Sequence, residues 1–136
     1  MTFLWSDAWL LQAIAVAATN GPATLGEIIG AADATNHALP TNDELHGALV
    51  RLTAAGFVEE VQNRFRLTDN VPRREAAAIA ESGWHRGRRT AAALLKAEEW
   101  SAERNVGDPR NQVVYPGLTD DRIRAAEEEY RQRVKR

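Results

Sequence analysis

Between Ala32 and Leu49 the chain reads ADATNHALPTNDELHGAL, which crowds Asp33, Asn36, His37, Asp43, Glu44 and His46 into one short span. Asp33 and His37 stand four apart, one helical turn, and Glu44 and His46 follow at the start of the next segment. Oxygen and nitrogen donors gathered this way are the raw material of a metal site. The spacing nevertheless matches no established ligand pattern such as His-Glu-x-x-His, and helix ends account for two of the four donors. No metal or other cofactor is therefore expected. Catalysis finds no better footing. The chain has no cysteine, no Gly-x-Ser-x-Gly elbow, no phosphate-cradling glycine loop and no dinucleotide fingerprint. A non-enzymatic role is expected.

The same residues make sense as the ends of two helices. Thr24-Leu25-Gly26-Glu27 and Thr41-Asn42-Asp43-Glu44 are both capping boxes, in which a threonine and a glutamate satisfy each other's backbone donors. After the first box, Leu25, Ile28, Ile29 and Ala32 line one helical face. After the second, Leu45, Ala48, Leu49 and Leu52 repeat that spacing up to a stop at Gly56. Asn36 and His37 mark the end of the first of these helices, where a histidine suits the negative end of the dipole. Pro40 enforces the break, and Asp33 is expected to hydrogen-bond His37 across the corner. Asn42 and His46 are left facing outward.

Upstream, a helix is expected from Ser6 as N-cap to about Thr19, with Trp5 and Leu10 as its hydrophobic staple. It is apolar almost all the way round and so requires cover on several sides. Downstream, Val58–Val61 and Arg64–Thr68 read as a small antiparallel hairpin turned at Gln62-Asn63, with Phe65 and Leu67 on one face and Arg64 and Arg66 on the other. Helices are then expected from Pro72 to the break at Gly83, from Trp84 onward with Ala91, Leu94 and Leu95 inside, and from about Thr119 with a stripe of Ile123, Ala126 and Tyr130. Glu127–Arg131 and Glu129–Arg133 are i,i+4 pairs on the last helix. The irregular residues 101–117 carry Val113, Val114 and Tyr115 as the groups expected to pin them down.

The length suits one domain with a helical extension, and the apolar and charged shares are those of an ordinary globular chain. The N-terminal apolar run is too short to span a membrane and lacks the basic start of a signal peptide, which points to a cytoplasmic protein with no membrane partner. Net charge is −2, unevenly divided. Residues 1–70 hold three arginines against eight acids, a balance of −5, whereas residues 71–136 hold fourteen basic against eleven acidic groups, a balance of +3.

Three helices followed by a hairpin, and in particular ELHGALVRLTAAGFVEEVQNRFRLTD, resemble the helix-plus-wing segment of bacterial winged helix-turn-helix regulators such as the MarR and PadR families. The resemblance rests on Leu49 and Leu52, Gly56, Phe57-Val58 and Phe65-Arg66-Leu67-Thr68. It implies a mainly α (α+β) fold: a winged helix-turn-helix over residues 1–70 with a β-hairpin wing. Residues 71–136 are then a C-terminal helical extension that packs on that domain or dimerises. The resemblance further implies a homo-oligomeric transcription regulator with double-stranded DNA as its partner. Its third helix would present Asn42, Asp43, His46, Gly47, Val50 and Arg51 outward. Asn42 and His46 are the candidates for base edges, and Arg51, Arg64 and Arg66 for phosphates.

Charge opposes that reading. Asp43, Glu44, Glu59 and Glu60 surround the expected contact surface, and phosphate attraction normally supplies much of the affinity for DNA. The alternative is a protein-interaction or oligomerisation module that keeps the fold and does not bind DNA. A second candidate surface is the basic cluster Arg73, Arg74, Arg86, Arg88 and Arg89, near Trp84 and His85. Sharing one face, these arginines would suit nucleic acid or an acidic partner; otherwise they form a solvated face balanced by Glu75 and Glu81.

Overall fold

The apolar N-terminal run folds as helix α1 (Trp5–Ala17), and the rest of the chain is arranged around it. A computed structural model describes residues 1–101 and 107–134. After α1 come α2 (Leu25–Asn36), α3 (Asn42–Ala54), strands β1 (Val58–Val61) and β2 (Arg64–Leu67), then α4 (Arg73–Glu81), α5 (Trp84–Leu95), a 3-10 turn at Pro109–Asn111, and α6 (Asp120–Val134). The protein is thus mainly helical with one small antiparallel sheet. Among the described residues, no helix is long and apolar enough to cross a membrane.

Ten consecutive residues of α1, Ser6 to Ala15, are buried. A helix without a polar face needs a neighbour on every side. Here α2, α3, α4, α5 and β2 all pack against it. The helix starts one residue before the expected Ser6 cap. Leu4 occupies the cap position, and its N–H donates to the Asp7 carboxylate at 2.8 Å. Ser6 lies inside the first turn, its buried hydroxyl without a hydrogen-bond partner among the described residues. Trp5 accordingly belongs to the helix and packs its ring on Trp9 rather than preceding the cap as a staple.

Both capping boxes are present. Thr24 Oγ1 accepts from Glu27 N–H and Glu27 accepts from Thr24 N–H, and the Thr41–Glu44 pair repeats the arrangement. The faces that follow bury Leu25, Ile28, Ile29 and Ala32, and Leu45, Ala48, Leu49 and Leu52. His37 closes α2 in the left-handed conformation, and Gly56 takes φ +81 after α3. The hairpin turns through Gln62 and Asn63, both with positive φ, as a two-residue turn that matches strand twist requires. Its register sets Glu60 opposite Phe65 and Val58 opposite Leu67. Phe65 also exchanges both backbone hydrogen bonds with Ala23, 2.8 Å each, so the loop before α2 is stitched to the hairpin.

The second half wraps the first. α4 and α5 form a pair against α1, and α6 lies along α2, burying Ile123 and Ala126. Tyr130 reaches across to donate to Asp33 at 2.5 Å. The expected Asp33–His37 bond across the corner is made through the backbone, His37 N–H donating to the Asp33 carbonyl at 2.7 Å, while His37 sets its ring edge-on to Trp84. On α6 the Glu127–Arg131 pair forms at 3.5 Å. No Glu129–Arg133 pair accompanies it among the described residues, and Glu129 lies over Gly26 of α2 instead. Thr24→Ala and Thr41→Ala should each lower stability by about 1 kcal/mol in urea unfolding, additively, because the caps serve separate helices.

Candidate nucleic-acid interface

In a helix-turn-helix reader the outward face of α3 would meet the grooves of DNA. Here that face is covered by the chain itself. Residues 108–118 cross α3 as a strap and deliver the chain to α6. Gly47 lies under the strap so closely that a Cβ there would fall 2.0 Å from the Asn111 Oδ1. His46, only 8% exposed, uses its Nδ1 to accept the Tyr115 backbone N–H at 2.9 Å. That bond fixes the imidazole with Nδ1 unprotonated. The expectation that His46, Gly47 and Arg51 face solvent is therefore overturned, and the cover comes from residues some 60–69 positions downstream.

Arg51 is the centre of this closure. Its Nε and Nη2 donate to the two oxygens of Asp7 at 2.7 and 2.9 Å, its Nη1 to the Arg110 carbonyl at 2.8 Å, and its Nη2 also to Asn111 Oδ1. Asp7 has no solvent exposure. Burial pushes its carboxyl above the ordinary range, while the Arg51 fork and the Leu4 N–H pull it back. Two parallel charge-assisted bonds of this kind hold a guanidinium in one orientation. Arg51 is thus consumed inside the protein and offers nothing to a phosphate. The strap in turn is braced by Arg110, whose guanidinium grips Asp108 and makes two bonds to Glu98. Those carboxylates hold Arg110 above its ordinary pKa, and Asp108 is held below its own. Asp108, Asn111 and Tyr115 anchor the segment, whereas Val113 and Val114 are exposed.

The hairpin is also engaged. Tyr115 Oη donates to Glu60 at 2.7 Å, and burial together with that carboxylate raises the phenol above its usual pKa. Arg122 of α6 lies over the Phe65 ring and donates to the Asn63 carbonyl and to Glu60. Arg66 pairs with Glu59 at 2.6 Å, and Arg64 stands 4.0 Å from Glu27. Of the expected contact residues, Asn42, Arg64 and Arg66 remain exposed, Asn42 lying 3.5 Å from Asp120. The candidate metal donors do not converge either. Asp33 takes Tyr130, His37 packs on Trp84, Glu44 caps α3, and His46 takes the strap.

The basic cluster is divided. Arg86 and Arg89 share a shallow groove with Glu75, and Arg73 and Arg74 are exposed in the first turn of α4. Arg88 turns the other way. Its guanidinium sits 5.3 Å from the Trp5 ring centre and donates to the Thr35 carbonyl, and burial lowers its pKa. Sequence reasoning missed Asp7, Asn111 and the Trp5–Trp100 contact. The signal for Asp7 was present, as a lone charge inside an apolar run. No family model, curated protein or solved structure matches the chain.

Replacing Arg51 by methionine leaves Asp7 buried and unpaired, which should cost about 3–5 kcal/mol. Without Arg51, burial raises the folded-state pKa of Asp7 further above its unfolded value, so the folded state binds the extra proton. Stability of Arg51→Met should accordingly recover as pH falls from 7 toward 5, relative to the parent chain. Urea midpoints at the two pH values test this; a variant that loses further ground at pH 5 contradicts it.

Proposed function

We propose that this chain is a winged-helix-type protein-interaction module whose third helix does not read DNA. The order of α1, α2, α3 and hairpin, with Ala23 bridged to β2, supports the winged-helix relationship. The observation that carries the functional reading is the engagement of His46 and Arg51 beneath the strap. Binding by neutralised phosphates requires exposed cations. Arg51 of α3 is buried against Asp7, the exposed Arg66 of the hairpin pairs with Glu59 and the exposed Arg64 stands 4.0 Å from Glu27, and Asp43 and Glu59 are at or near the surface.

A transcription-regulator role is the second reading, favoured by one observation. Arg73, Arg74, Arg86 and Arg89 are exposed and make no ion pair among the described residues, which leaves a cationic surface on α4 and α5.

A fluorescence-anisotropy titration against random-sequence duplex at low salt separates the two. The proposal expects no saturable binding in the roughly 10⁻⁴–10⁻⁶ M range of ordinary non-specific affinity. Binding that weakens steeply with salt overturns it. Loss of that binding in Arg64→Ala/Arg66→Ala would return the contact to the wing, and loss in Arg86→Ala/Arg89→Ala would move it to α5.

A further inference from the structure

The strap is held in two places that differ in kind. Upstream, Arg51 bonds the Arg110 carbonyl and Asn111, and Arg110 grips Asp108 and Glu98. Val113 and Val114 then cross in the open, exposed and without a hydrogen bond among the described residues. Between the buried Asn111 and the buried Leu118, the middle of the strap is fastened to α3 and the hairpin by Tyr115. Its N–H donates to His46 Nδ1 at 2.9 Å, its Oη donates to Glu60 at 2.7 Å, and its ring centre lies 6.0 Å from that of Phe65. Gly117 follows with φ +85, a left-handed bend between Tyr115 and α6.

The His46 fastening depends on protonation. A neutral imidazole accepts at one ring nitrogen, whereas an imidazolium donates at both. A proton on Nδ1 sets a donor against the Tyr115 N–H, which has no other role to take. The bond and the proton therefore exclude each other. The ionisable groups on the elements around α3 have other partners. Asp7 of α1 is bound by Arg51, Asp108 of the strap by Arg110, and Glu59 and Glu60 of β1 by Arg66 and by Tyr115 with Arg122. Asp120 of α6 lies by Asn42, and on α3 itself Glu44 serves the cap while Asp43 is exposed. Among the described residues none of these carboxylates bonds the imidazole, so none compensates a charge there in the fastened state.

We propose that the strap is a proton-operated latch, in which uptake of a proton at His46 Nδ1 frees Tyr115 and uncovers His46 and Phe65. The fastened state excludes the proton and the open state admits it, so acid favours opening. An exposed histidine is half protonated near about pH 6.5, and the open state thus gains about tenfold on the fastened one between pH 7.5 and pH 5.5. The device governs access to this face of α3 and the hairpin whichever partner meets it.

Amide hydrogen exchange of the full chain, expressed as protection relative to the free-peptide rate at each pH, reads the latch directly. Protection of the Tyr115 amide should fall about tenfold from pH 7.5 to pH 5.5. The Phe65 amide, bonded to the Ala23 carbonyl at 2.8 Å, should keep its protection. The fall should vanish in His46→Asn, whose Oδ1 takes the place of Nδ1 and does not titrate, and should persist in Glu60→Gln. A fall under threefold at Tyr115 overturns the proposal, as does an equal fall at Phe65, which marks general acid unfolding. A pH dependence that survives His46→Asn assigns the proton to another group, such as Asp7, whose carboxyl burial raises and whose hold on the strap runs through Arg51. One that disappears in Glu60→Gln assigns it to Glu60, and either result overturns the role of His46.

Discussion

The ion pair between Asp7 and Arg51 is the constraint on which the arrangement turns. One carboxylate caps the start of α1 through Leu4 N–H and receives both arms of the guanidinium, and that guanidinium then holds the Arg110 carbonyl and Asn111. A buried pair of this type adds little net stability over apolar residues of the same volume, because both charges lose their hydration. Its effect is on choice. Any packing in which α3 rotates, or the strap sits elsewhere, leaves a charge in the core without a partner, and such arrangements are strongly disfavoured.

From that follows the unusual condition of α3. The helix carries a complete capping box at its start, but His46, Gly47 and Arg51 face the strap. Gly47 is small enough to admit the Asn111 amide, and His46 offers a lone pair to a backbone donor that would otherwise be unmet. These residues would each look available on an isolated helix. In the folded chain they satisfy neighbours, whereas Arg73, Arg74, Arg86 and Arg89 of α4 and α5 are exposed.

How far the sequence could be read depended on distance along the chain. The two capping boxes, the stop at Gly56 and the left-handed Asn63 turn are decided by residues three to five apart, and they stand as the pattern implies. The face of α3 could not be read that way, since what covers it arrives from Tyr115 and Asn111. Ser6 was misplaced as a cap because its type suits that role, whereas the acid three residues after Leu4 has a partner 44 positions away. Arg88 shows the same limit. Its neighbours Arg86 and Arg89 are at the surface, but one helical step turns it onto Trp5 and the end of α2. A lone acid in the apolar run of α1 is the one legible hint of the central pair.

The all-round apolar character of α1 also sets an order of events during synthesis. Its cover comes from α2, α3, β2, α4 and α5, the last of which ends at Leu95. At about 5–20 residues per second, α1 leaves the ribosome roughly 4–16 seconds before α5 is complete. Throughout that interval a sticky cylinder with no wetted side is present without its full set of neighbours. This segment is thus made before every element that covers it, so slower elongation lengthens the period in which it stands without its neighbours.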